Sequence, residues 1–176
     1  MHAVLRAHVL KQLRHFLKPY GYKASGAKYR KDESELVKFI WLTSHPHSGP
    51  DELWFTLDIS IATEKVVAHS PKFFFAGIDH VQAPFNARIG WLCPYQRDHW
   101  WKVRSEAECH TALAEVEGIL ITYVLPLLEA IRTNRDLAIV LRERRTGVHW
   151  PEKMRLWLAD ILEGKDVPDV PPGSTL

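Results

Sequence analysis

Apolar residues Leu5, Val9, Leu13 and Phe16, with Val4 and Leu17, recur at helical spacing, and Arg6, Lys11, Arg14 and Lys18 fall between them. An apolar stripe opposite a charged one marks a helix that buries one side. Pro19 and Gly21 stop it, because proline has no amide to donate and glycine accepts a left-handed backbone. Tyr22 to Lys31 reads as a strand or loose hairpin arm, followed by a polar turn at Asp32-Glu33-Ser34. Leu36 to Thr43 is apolar on both alternations, which suits a central strand covered on both faces. Ser44 to Asp51 holds two prolines and a glycine and reads as a loop. Leu53, Phe55, Leu57, Ile59 and Ile61 then alternate with Trp54, Thr56, Asp58, Ser60 and Ala62, the clearest strand pattern in the chain.

Residues 66–84 have no usable period, although Val66, Val67 and Phe73-Phe74-Phe75 are apolar. Phe85, Ala87, Ile89 and Trp91 alternate again with Asn86, Arg88 and Gly90, predicting a further strand that Cys93-Pro94 ends. Ser105 with Glu108 forms a capping box. The helix it opens carries Leu113, Val116, Leu120, Tyr123, Leu127 and Ile131 toward the sheet, with a kink expected at Pro126. Asn134 is placed to cap a short helix through Leu141. Pro151 suits the first turn of a last helix bearing Met154, Leu158 and Ile161, with Gly164 as its stop. From Lys165 the chain is rich in proline and poor in apolar residues, so residues 165–176 read as a disordered tail behind one domain, residues 1–164. The fold class is α+β: an N-terminal helix, an antiparallel β-sheet, and a C-terminal helical half packed on the sheet.

Composition adds little to that picture. A chain of 176 residues fits one domain. Its apolar runs are short for a membrane span, the best being Gly118 to Leu128, so no membrane is expected. Cys93 and Cys109 are too few for a disulfide framework, and free thiols suit a reducing cytoplasm. The net charge of +2 is unevenly spread: residues 1–31 carry eight Lys or Arg and no acid. Such asymmetry can mark a partner surface, or simply a basic helix beside an acidic neighbour.

A series of short motifs carries a family resemblance. The opening helix runs into Leu17-Lys18-Pro19-Tyr20-Gly21-Tyr22-Lys23 and Gly26-Ala27-Lys28-Tyr29-Arg30. Ala87-Arg88-Ile89-Gly90, Trp100-Trp101 and Val124-Leu125-Pro126-Leu127-Leu128 follow in order. Over roughly residues 5–142 the chain resembles the bacterial family known as domain of unknown function 4304. There a Gly-Phe-Lys element after the first helix leads through a glycine to an aromatic and an arginine, with a Leu-Pro pair in the late helix. Tyr22 stands where Phe is usual. The resemblance implies a fold and a bacterial origin, and brings no catalytic residue with it.

Candidate chemistry is thin. His45-Pro46-His47 offers two imidazoles, and Cys93, His99, Cys109 and His110 more ligands, but none has the paired spacing of a zinc site. Cys109 and His110 are adjacent on a helix and point about 100° apart, which does not make a nucleophile and its base. No phosphate-cradling loop is present, so no cofactor, metal or catalytic residue is expected. Asp58 and Arg88 share the outward side of the sheet, as a polar site or an ion pair. Trp54 lies on the polar alternation of its strand, and Phe73, Phe74 and Phe75 in the irregular stretch. Exposed aromatics beside polar groups anchor interfaces, so these six residues are the candidate binding set. The function this favours is a protein-binding module, for example an immunity-type protein that neutralises a toxin. The alternatives are a nucleic-acid binder using the basic N-terminal segment with Tyr20, Tyr22 and Tyr29, or an enzyme whose site no motif announces.

Overall fold

The computed structural model describes residues 2–71, 83–143 and 150–169. The amphipathic stripe forms helix α1, His2–Leu17, with Leu5, Val9, Leu13 and Leu17 buried. A single 3-10 turn at Lys18–Tyr20 leads to Gly21 at φ 86°, a left-handed cap that a side chain would strain. The chain then lays down β1 (Lys23–Ser25), β2 (Lys28–Asp32), β3 (Val37–Ser44) and β4 (Leu53–Ala62). Helix α2 (Glu64–His69) follows, capped by Thr63, then β5 (Phe85–Arg88) and β6 (Trp101–Val103). The predicted α+β class holds: every strand pairing is antiparallel, in the order β1-β2-β3-β4-β5. β6 also pairs with β4, opposite its first residues (Leu53↔Val103), while β5 takes its last ones (Ile61↔Phe85).

Two details of this region differ from expectation. The strand predicted through Trp91 stops at Arg88 and tightens into a 3-10 turn, Ile89–Trp91. Gly90 lies under the returning backbone, where a Cβ would sit 2.4 Å from the Arg97 carbonyl oxygen, and that close approach explains the break. β6 was not foreseen, because three residues are too few to show a period.

The C-terminal half begins with α3 (Glu106–Ile119). Ser105 accepts the Glu108 amide, and Glu108 reaches back to the amide of Arg104 at 2.8 Å. At Leu120–Val124 the helix widens into a π turn before α4 (Leu125–Ala130). Pro126 lacks an amide and its ring needs room against the preceding turn, so the expected kink takes the form of one extra residue per turn. Val124 and Leu128, expected to widen the inward stripe, are buried, whereas Tyr123, expected inward, is turned out to 39% exposure. By length and composition alone the continuous helix Glu106–Ala130 could cross a membrane, but 44% of its most apolar window is buried inside the fold. Its inner stripe meets α1 and the sheet in one apolar core with Leu42, Leu53, Phe55, Leu57 and Ile59.

Helix α5 spans Asn134–Glu143 and α6 spans Glu152–Glu163, ended by Gly164 at φ 77°. The cap of α5 is supplied by Thr133, whose hydroxyl accepts the Asp136 amide while Asp136 accepts the Thr133 amide. Asn134 instead bonds Glu35 and Thr63, tying α5 to the sheet. Beyond α6, Val167 packs on the core and Trp157 donates to the Pro168 carbonyl at 2.9 Å. Residues 170–176 lie outside the described residues.

Candidate functional site

Period two on β4 sends Leu53, Phe55, Leu57, Ile59 and Ile61 to the helices, all fully buried. Trp54, Thr56, Asp58 and Ser60 therefore face the other way, onto the outer side of the sheet. Register sets their neighbours. Asp58 lies between Trp41 on β3 and Arg88 on β5, Thr56 opposite Thr43, and Trp54 opposite Lys102 on β6. The outward alternation of Trp54, Asp58 and Arg88 thus becomes one continuous strip.

At the centre of the strip Asp58 is held from two sides. Thr43 donates its hydroxyl to one carboxylate oxygen, and Arg88 Nε stands 3.5 Å from the other. Arg88 also pairs with Asp98 and lies over the Trp100 ring, 4.9 Å from its centroid. The Trp100 indole donates to Asp98 at 3.1 Å. His45 bridges the aromatics, its ring centre 4.6 Å from Trp100 and 5.4 Å from Trp54. Trp54 is only partly exposed: its indole donates to Glu52 at 2.8 Å, and Lys102 covers the ring at 4.5 Å. Hydrogen bonds from Trp54, Lys102 and Arg104 hold the Glu52 carboxyl below its ordinary value. Each of the two tryptophans is thus flanked by a cation, and each cation by a carboxylate. The face offers flat aromatic area and paired charges. Both Asp58 oxygens are engaged, one by the Thr43 hydroxyl and the other facing Arg88 Nε.

The family model described as Domain of unknown function (DUF4304) matches residues 13–130. The chain belongs to that family. The matched span contains every strand and therefore the whole outer strip, whereas most of α1 and all of α5 and α6 fall outside it. No curated protein and no solved structure matches the chain.

Of the six residues singled out in the sequence, Trp54, Asp58 and Arg88 are brought together inside the family domain. Phe73, Phe74 and Phe75 lie outside the described residues. Sequence reasoning missed Trp100 and His45, which arrive on loops. The adjacent pair Trp100-Trp101 held a usable signal, because neighbours on an extended chain point to opposite faces: Trp101 is buried and Trp100 partly exposed.

The other candidates behave differently. Cys109 is fully buried, burial raises its thiol pKa, and the His110 ring meets His8 at 4.9 Å instead. Among the described residues, no three His, Cys, Asp or Glu side chains gather where they could hold a metal ion. For nucleic acid, Tyr22 and Tyr29 are core residues and offer no ring for stacking. Lys28 and Arg30 lie over Phe39 on the outer face, across the sheet from α1, so these charges do not join Lys11 and Arg14 in one track. A separate cleft of about 470 Å³ is lined by Lys31, Glu33, Ser34, Glu129 and Arg132. Near it Lys38 is buried with Nζ 2.5 Å from Glu33, and burial lowers its ammonium pKa.

Proposed function

We propose that this protein works by binding another protein through the outer strip of its sheet. The observation that supports it is the set of rings Trp54, Trp100 and His45, in which His45 meets Trp100 edge to face and Trp54 at a tilt, with Lys102 over Trp54 and Arg88 over Trp100. Partly exposed tryptophans beside arginine are the residue types that dominate binding energy at interfaces. An immunity-type role, with a toxin as the partner, is the specific form we favour, in the cytoplasm of a bacterial cell. The buried free thiols Cys93 and Cys109 suit such a reducing compartment.

Affinity capture from the native cell, followed by mass spectrometry, tests the reading. A protein partner should be recovered, and Trp54→Ala should weaken its binding by about 2 kcal/mol at a true anchor. Recovery of nucleic acid alone, with affinity that falls steeply as salt rises, would point to the basic N-terminal segment instead.

A further inference from the structure

We propose that the groove between α2 and α6 is a receptor for an extended, proline-bearing peptide, occupied in this structure by the chain's own tail. The groove is independent of the outer strip. It is built from two helices locked together: Lys65 on α2 donates to the Leu162 carbonyl at the end of α6, at 2.8 Å. The next segment then turns back along α2. Gly164 makes the turn, and Lys165 is anchored by Asp160 and Glu163, each at 2.8 Å.

The contacts beyond that point are those of a ligand with its receptor. Trp157 directs its indole N–H at the Pro168 carbonyl, 2.9 Å away. His69 Nε2 lies 3.4 Å from the same oxygen and donates to it in the tautomer protonated there. Ser70 donates its hydroxyl to the Asp169 carbonyl. The His69 and Trp157 rings meet edge to face at 6.1 Å, forming one wall, and Val167 supplies the apolar contact. Trp157 and Ser70 are 4% and 3% exposed with the tail in place.

The chemistry is matched on both sides. Proline has no amide hydrogen, so a segment containing it presents mostly acceptors along one edge. The groove answers with donors. An aromatic indole donating to a carbonyl beside proline is the logic by which extended proline-rich peptides are held in aromatic-lined grooves. The ligand class is thus an apolar–Pro peptide held by its backbone carbonyls, as in Val167-Pro168. Tethering gives the tail an effective concentration on the order of millimolar, so it fills the groove even if each contact is weak.

The test uses a fluorescent synthetic peptide of residues 165–176 and two full-length proteins: the native chain, and one whose tail is disarmed by Val167→Gly and Pro168→Gly. The disarmed chain should bind the peptide saturably, and the native chain about tenfold more weakly or less because its own tail competes. Adding Trp157→Phe to the disarmed chain should abolish binding, as should Pro168→Gly in the peptide. No binding to the disarmed chain, or equal binding to both, overturns the proposal. A second measurement needs only the native tail: trypsin cleavage after Lys165 should be about fivefold faster in Ser70→Ala at an unchanged thermal midpoint, since local opening governs cleavage. An unchanged cleavage rate overturns it equally.

Discussion

Leu57 and Thr56 are neighbours on β4 and both are fully buried, yet they are buried for different reasons. Leu57 belongs to the apolar core that α1 and α3 close over. Thr56 lies on the opposite face beside Asp58, and its hydroxyl has no hydrogen-bond partner among the described residues. Ser60, two positions beyond Asp58, is in the same state. The inner face is thus optimised for burial. The outer face mixes these two unpartnered hydroxyls with a smaller buried apolar cluster, Val37, Phe39, Ala62 and Ala83, while Trp54, Asp58 and Arg88 on the same face are partly exposed. Folding energy should reside mainly on the first face and recognition on the second.

Four experiments can break or sharpen that division. The largest effect is expected from Leu57→Ala, which should lower unfolding stability in urea by roughly 2–5 kcal/mol by leaving a cavity. Leu120→Ala on the facing helix should fall in the same range, and two near-silent results would dissolve the inner core as described.

Tyr29 comes next, because it is a polar group that the inner face does satisfy. Its hydroxyl donates to the Leu10 carbonyl at 3.0 Å, and burial pushes its pKa from 10.0 up to about 12. A phenol raised in the folded state adds stability that is complete below the unfolded value and lost as pH climbs through the folded one. Stability should therefore fall by on the order of 2 kcal/mol between about pH 10 and 12. Tyr29→Phe should make that alkaline loss shallower, the remainder belonging to Tyr22, whose buried phenol is also raised; an equally steep loss in the variant would assign it elsewhere.

Thr56→Val tests the outer face in the opposite direction. Replacing an unpaired buried hydroxyl by a methyl of similar shape should be neutral or stabilise by up to about 1 kcal/mol. A clear destabilisation would mean that the hydroxyl is engaged. The smallest effect on stability is expected at Arg88→Ala. Arg88 is 38% exposed, and exposed ion pairs contribute below about 1 kcal/mol, so thermal melting should barely move while partner binding suffers. A larger shift in melting would make the strip structural.

The two faces also differed in how far the sequence disclosed them. The inner face was legible because period two on β4 and the stripe on α1 are repeated many times, and each repeat carries the same message. Parity alone also placed Trp54, Asp58 and Arg88 outward. What parity could not say is what stands beside them. His45 and Trp100 reach the strip from loops, whose paths depend on contacts such as Gly90 under Arg97. Tyr123 was misassigned to the inner stripe because a π turn changes the period at a point where the residues themselves do not. The docked start of the tail was hidden for a related reason: its attachments are carbonyl groups, which every residue has.

The sharing of one β4 edge by two strands has a consequence for how the molecule assembles. Thr43 and Asp58 are 15 residues apart, so the β3–β4 hairpin closes a short loop. Arg104 reaches Glu52 across 52 residues, so β6 can add only after a long one. Loop closure costs entropy before its contacts repay it, and contacts of short separation form first. The hairpin is then the natural nucleus of folding, and β6 a late addition that fastens the finished sheet. Weakening the Leu53–Val103 pairing should leave the folding rate nearly unchanged and speed unfolding, so that β6 sets how long the folded state lasts.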